Sequence, residues 1–463
     1  MSSNPNIASL GQWLNSWVTD TGAIHGFHNH SVWGDNPWRY GDNTAGHATF
    51  ASPLIAGVAR ALKQQPDPRG REWLERMIRF QATSFQENGF FKHVGYQCGE
   101  QLHVGLIHNV VPCVALSAAA AEIDFALEEI DHAVRTVLAA CDAGGDGGPG
   151  VGSCTNQEYC RIWSRLLHMN TYDHQDWHER VPRHLDYMIE TFHVRGHPDN
   201  ECVGTWRGTG GQEGLEPAEY YGLMIHPLLL GYQRYGKQEY FDEALAMARH
   251  CVRSSWVDAE GQRRAHRLWT EITGEWRCLR EPMLIGGFGM TLSAIQALLE
   301  IQADDELSEF LTAMDATYAH YQHEAGFFRA ASGWGCEQDI IPCTAWQSHD
   351  FLHLVGRHGV DENFWDAVFT PNNRVAAMFG QSLIWLEAGP HWAVRGFHWA
   401  DGLELVGRKD RVEFGRDKPG SLSPTRVMPE DYQIPDEPQF LRDGDQFYQW
   451  AGRTDVDTFP ELQ

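Results

Sequence analysis

The chain has 463 residues, 42% hydrophobic and 21% charged, which is the balance of a globular protein and excludes wholesale disorder. A formal net charge of −26 repels phosphate backbones and acidic membrane surfaces, so neither nucleic acid nor a membrane is an expected partner. The first residues show no basic stretch followed by an apolar one, and no run approaches ~18 uninterrupted apolar residues. Ten scattered cysteines read as reduced thiols, so a cytoplasmic location is expected.

Helical periodicity dominates in chain order. Stretches that are apolar nearly all round predict buried helices near 45–64, 102–121, 157–169, 217–235, 286–302 and 342–357. One-sided apolar stripes predict amphipathic helices near 71–86, 124–140, 181–193, 239–254, 306–322 and 361–369. In the first of these, Trp73, Leu74, Met77 and Ile78 form the stripe, opposite Arg71, Glu72, Glu75 and Arg79. The two kinds alternate as six hairpins with a period of roughly fifty to sixty residues, which signals a repeat architecture. Connections from a buried helix to its partner are mostly short. Those leading into a buried helix are long and rich in Gly, Trp and His, covering 19–44, 87–101, 141–156, 194–216, 255–285 and 323–341. Long structured loops usually carry function, and in a closed ring all of these would gather on one face. A sequence echo supports the repeat: Glu87-Asn88-Gly89-Phe90-Phe91-Lys92 matches Glu324-Ala325-Gly326-Phe327-Phe328-Arg329.

Three clusters carry the candidate chemistry. The first loop holds His28, His30, Trp33, Asp35, Trp38, Arg39, Tyr40 and Asp42. Its imidazoles, arginine and tyrosine offer acid, base and anion contacts, and its tryptophans offer flat faces on which a sugar stacks. Asp35 and Asp42 are candidate catalytic carboxylates, although Asp42 also fits a helix-terminal charge. His28 and His30 lack a third ligand at suitable spacing, so no metal is expected. The second cluster, Gly204 to Pro217, offers Trp206 and Arg207 for binding and Glu213 as the leading catalytic carboxylate; Glu216 reads as a helix N-terminal charge. In the third, Trp334 stands in a loop, while Trp346, His349 and Asp350 share one face of a buried helix with His353. Polar residues on a buried helix need partners, supplied either by a core network or by a central cavity. A fourth group, Asp173, His174, Asp176, His178 and His184, lies on the opposite kind of connection and reads as solvated or capping.

Six buried helices, six amphipathic ones and long loops on one rim resemble the (α/α)6 toroid of carbohydrate-active enzymes, most of all the hydrolases that trim uronic-acid-bearing oligosaccharides. The resemblance covers about 40–370 and implies an all-α toroid across 1–400. Residues 401–463 then form an irregular extended tail, packed on the domain or on a partner subunit in a homo-oligomer; Ala376 to Leu386 is read as one more helix. It further implies a glycoside hydrolase without a cofactor. Such an enzyme would release a terminal sugar, for instance glucuronate, from an oligosaccharide by carboxylate acid–base catalysis, with Arg39 and Arg207 as cations for a sugar carboxylate. A uronate lyase using a His or Tyr base with Arg39, an epimerase pairing His47 with His349, and a non-catalytic sugar-binding toroid stay open.

Overall fold

The computed structural model describes residues 49–91, 106–143, 155–194, 204–207, 215–266, 286–322 and 344–370, and shorter pieces at 4–15, 18, 21–22, 24, 268–272, 275–279, 283–284, 326–328 and 331–332. Beyond 370 it describes the backbone of residues 374–379, 382–387, 393–398, 404–407, 439–443 and 446–449.

Among these residues the helices run α1 Ile7–Asn15, α2 Pro53–Gln64, α3 Pro68–Thr83, α4 Ile107–Ala120, α5 Leu127–Ala143, α6 Thr155–His168, α7 Gln175–Phe192, α8 Tyr221–Tyr235, α9 Gln238–Arg253, α10 Gly289–Ile301, α11 Asp305–Tyr321, α12 Thr344–His358 and α13 Phe364–Val368. The even-numbered helices from α2 to α12 form an inner ring. Each packs beside the next, and α12 returns to α2, so the ring is closed. They run parallel: Gly222 and His226 of α8 meet Thr291 and Ser293 of α10, and residues 57 and 60 of α2 meet 351–352 and 356 of α12. Each inner helix is therefore entered from the same end.

The outer helices obey the one-sided pattern that predicts them. In α3 the stripe of Trp73, Leu74, Met77 and Ile78 is fully buried, while Arg71, Glu72 and Arg79 are exposed. Its start is fixed by Pro68 in the first turn and by the Asp67 carboxylate, which accepts from the N–H groups of Arg69 and Gly70. Asp304 caps α11 in the same way through Leu307 N–H. The sixth outer position departs from expectation. The helix read at 361–369 is only the five residues of α13, and α1 packs against both α12 and α13 to complete the layer.

The described stems of the long connections share a device. After α1, α3, α7 and α11 the chain makes a single antiparallel bridge, Val18 with Ile24, Phe85 with Phe91, His193 with Trp206 and Gln322 with Phe328. After α9 the same place is taken by β1 (Trp256–Val257) and β2 (Arg263–Arg264). In all five, a glycine with positive φ stands two residues before a returning paired residue: Gly22, Gly89, Gly204, Gly261 and Gly326. That left-handed turn is what glycine adopts without strain. The echo visible in the sequence is thus two copies of a wider repeat. Phe91 N–H donates to the Asn109 side chain of α4, and Phe328 N–H donates to the Gln347 side chain of α12, so each hairpin is tied to the inner helix that follows it.

Further strands are short: β3 (Leu268–Ile272) pairs with β4 (Glu275–Leu279), and β5 (Met283–Leu284) with β6 (Ala331–Ser332). The helix expected at Ala376–Leu386 is instead part of an antiparallel sheet of β7 (Arg374–Phe379), β8 (Ser382–Glu387) and β9 (Ala393–His398). Phe379 pairs with Ser382, and a glycine in the sequence between them, Gly380, favours a hairpin over a continuous helix. Within the stretch expected to be an irregular tail, β10 (Glu404–Gly407), β11 (Gln439–Asp443) and β12 (Gln446–Gln449) form a second such sheet. Among the described residues no helix is long and apolar enough to cross a membrane.

Candidate active site

The inner ring encloses a cavity of about 290 Å³ to which all six inner helices contribute. That is the lower end of the ~300–1,000 Å³ typical of small-molecule sites. Helical spacing sorts the lining into levels. Pro53, Leu223, Met290 and His349 stand at the end the loops enter; Trp163, His226, Ser293 and His353 come next; Arg60, Gln296 and Arg357 lie deeper.

The loop-side end is aromatic. Phe50 meets His108, Trp346 and His349 edge-on, and Tyr220 stacks on Trp346 with ring centres 5.9 Å apart. These residues belong to the first turn of α4, the first two turns of α12 and the short 3-10 turns before α2 and α8. His349 is buried, and neither ring nitrogen has a hydrogen-bond partner among the described residues. Burial lowers its pKa to about 3, so it is a neutral imidazole. His226, from the opposite side of the ring, stacks on Trp163 at 4.6 Å and shares a 2.9 Å hydrogen bond with Ser293 Oγ. Burial again holds it neutral, with a pKa of about 3. An aromatic wall with a few converging polar groups is the usual make-up of a site that seats a small polar ligand.

Asp350 has a different task from the binding role expected. Its carboxylate accepts from Gly287 N–H, Gly289 N–H and Tyr318 O–H at 2.7–2.8 Å. It therefore caps the N-terminus of α10 from the neighbouring helix. Burial outweighs these donors and pushes its pKa up to about 7. Glu216 repeats the arrangement on α6: its carboxylate accepts from the backbone N–H and side-chain amide of Asn156, and burial raises its pKa to about 7. The helix N-terminus that Glu216 serves is thus that of α6, not of the helix it precedes in sequence.

The other predicted residues separate into two groups. Trp206 is fully buried, edge-on to Tyr159 and His193, so it packs and has no free face for a sugar. Arg207 is exposed beside it, held through its backbone to Phe192 and Thr155. Trp346 and His349 stand at the cavity's loop-side end as described. His28, His30, Trp33, Asp35, Trp38, Arg39, Tyr40, Asp42, His47, Glu213 and Trp334 lie outside the described residues. Neither His226 nor Arg60, which the cavity brings forward, stands out in the sequence, because each lies in a stretch that reads as buried nearly all round.

The fourth cluster also divides. His184 turns inward to Glu158 of α6, while His174 and His168 direct their Nε2 atoms at one oxygen of Asp131, at 3.0 and 2.9 Å. Asp131, His168 and His174 place ligand-type atoms within 4.8 Å of one another, a spacing that would admit a cation. Arg135 stands 3.6 Å from the other Asp131 oxygen, and Ser117 hydrogen-bonds His168 Nδ1, so the cluster is also complete as an ion-paired network.

Compared by sequence, the chain matches no family profile and no curated protein. Compared by structure, it is similar to a sugar epimerase from a ruminal bacterium, with 10% identity over 77% of this chain and 99% of the other and a TM-score of 0.53. It is also similar to a D-mannose isomerase, at 10% identity over 76% and 95% with a TM-score of 0.55. An unsaturated glucuronyl hydrolase specific for heparin follows, at 11% over 77% and 96% with a TM-score of 0.51. The fold is an (α/α)6 toroid. This agrees with the layout predicted from alternating helices.

Proposed function

We propose that this chain is a carbohydrate-processing enzyme that works on one end of a short saccharide seated in the toroid cavity. The observation that carries this reading is the cavity itself, enclosed by six helices and lined at its loop-side end by His349, which packs against Phe50 and Trp346 and has no hydrogen-bond partner among the described residues. A closed ring of this size admits a chain end rather than a through-running polymer. For the bond acted on, we favour hydrolysis that releases a terminal sugar such as a uronic acid. Glu213 would pair with Asp35 or Asp42 as acid and base, and the similarity to a glucuronyl hydrolase supports this reading.

A second chemistry has its own support. His349 and His226 are neutral imidazoles facing one cavity from α12 and α8, an arrangement suited to moving a proton at a sugar carbon. The similarity to an epimerase and an isomerase favours it.

One experiment tests both. The purified chain is incubated in deuterated buffer with glucuronate-terminated disaccharides, mannose and glucose. Hydrolysis gives new reducing ends without near-ultraviolet absorbance, lyase action gives that absorbance, and proton transfer gives deuterium on carbon. Absence of all three signals across a broad saccharide panel overturns the enzyme reading.

A further inference from the structure

Each buried arginine among the described residues, and Arg357 in the cavity, has an anionic partner. Arg161 and Arg165 meet Glu158 and Asp142, Arg264 meets Asp258, and Arg357 donates to Asp315 at 2.6 Å and to Gln296 at 2.8 Å. Arg60 is the exception among cavity-lining arginines. It projects from the third turn of α2 into the toroid cavity, half-buried, and takes part in no hydrogen bond or ion pair among the described residues. A guanidinium partly withdrawn from water without a counter-charge is less stable than a paired one. In a chain with a net charge of −26, carboxylates are plentiful, yet none among the described residues pairs with it.

A second unpartnered polar group stands near Arg60. His353 of α12 lines the same wall, is 1% exposed, and has both ring nitrogens without a hydrogen-bond partner. The charge of Arg60 is felt by both His353 and His226. Two carboxylates lie further along the cavity. Glu122 is engaged by Lys63, and Glu300 is exposed on the last turn of α10. The neighbouring α12 leaves room for the guanidinium. A Cβ on Gly356 would stand 2.5 Å from Arg60 Nη1, so glycine at this position leaves the guanidinium its place.

We propose that Arg60 and His353 form an anion pocket in the toroid cavity that receives a carboxylate or phosphate carried by a sugar. An oxyanion there would accept from the Arg60 fork and from an N–H of neutral His353, giving the guanidinium its missing partner. The pocket lies roughly one to two helical turns below His349, a separation that places the anionic group on the part of the ligand away from the loops. The choice of a sugar as carrier rests on the enzyme reading above; the anion pocket itself does not.

The test is calorimetric titration of the full chain with D-glucuronate, glucose 6-phosphate, inorganic phosphate and neutral glucose. The same titrations are made on Arg60→Gln and on Gly356→Ala, which crowds the guanidinium without removing it. The expected result is binding of at least one anion, weakened tenfold or more by both substitutions, while any glucose binding stays within twofold. Glucuronate against glucose 6-phosphate decides which anionic group fits, and phosphate alone tells whether the sugar ring is needed. Equal anion binding in wild type and Arg60→Gln, or no anion binding at all, overturns the proposal. Arg60-dependent anion binding without turnover of any saccharide would leave the pocket standing and remove the enzyme reading. Turnover with anion binding indifferent to Arg60 would do the reverse.

Discussion

Gly326, in the hairpin after α11, lies against the main-chain carbonyl of Ser9 in α1, and a Cβ at 326 would stand 2.2 Å from that oxygen. The same contact recurs one step on around the ring. Gly22 meets the Arg76 carbonyl of α3, and Gly204 meets the Ala246 carbonyl of α9, each at 2.2 Å. Every one of these hairpins rests on the next outer helix, so the contact of Gly326 with α1 seals the last repeat to the first. We predict that Gly326→Ala lowers stability by roughly 3 kcal/mol, because strain at a φ of 101° adds to the displaced backbone. Gly236→Ala is the control: its φ is 68° but nothing lies within 4 Å, so the cost should be roughly 1–2 kcal/mol. Urea denaturation of both variants measures the difference; equal losses would mean that Gly326 does not seal the ring.

Asp350 leads to a second prediction. It satisfies three donors with two oxygens, one shared by Gly289 N–H and Tyr318 O–H, the other taken by Gly287 N–H. Asparagine keeps the shape but offers one acceptor oxygen, so in either orientation its amide N–H₂ faces a donor. Asp350→Asn should therefore cost roughly 1–3 kcal/mol per donor left unmatched. The loss should appear as faster amide exchange at the start of α10. Unchanged exchange there would show that the cap is dispensable.

Much of this architecture is legible in the sequence, for a definite reason. The twelve predicted ring helices rest on apolar periodicity, and a closed double ring buries one kind all round and the other on one face, so pattern and burial coincide. Legibility fails where a single residue carries the signal. Gly22, Gly204 and Gly261 mark hairpins as firmly as Gly89 and Gly326 do, yet without the flanking phenylalanines they look like ordinary loop glycines. Arg60 lies one turn from the end of an apolar helix and reads there as a surface charge. Asp350 at helical spacing from Trp346 reads as a cavity residue, and only its three donors reveal a cap. At 374–387 two apolar runs mimic a helix, and only Gly380 between them signals that they are separate strands.

The cavity histidines set a pH dependence. His226, His349 and His353 are each depressed by burial to about 3, against 6.5 when exposed. Between these values the unfolded chain binds protons that the native state refuses, so their contribution is complete above pH 6.5 and is lost as pH falls towards 3. Glu216 and Asp350, raised to about 7, act with the opposite sign, holding protons in the native state that the unfolded chain has released. The isolated effect is therefore read by difference. We predict that His353→Gln gains stability relative to wild type as pH is lowered from 7 to 4.5, by thermal unfolding at each pH. A difference that stays constant across this range would mean that His353 is not held neutral.

The catalytic assignment is open to a crossed pair of substitutions. His349 makes no hydrogen bond among the described residues, so His349→Gln leaves no buried partner orphaned and should melt within a few degrees of wild type. If proton transfer is the reaction, the same change should lower turnover by about 10²–10⁴-fold, the usual contribution of a positioned acid or base, while Glu213→Gln is tolerated. If hydrolysis is the reaction, Glu213→Gln should abolish release of reducing ends at near-normal folding. His349→Gln should then act mainly through KM, because a neutral imidazole beside Phe50 and Trp346 positions the sugar without carrying its proton. Full activity in both variants would move the chemistry away from this end of the cavity altogether.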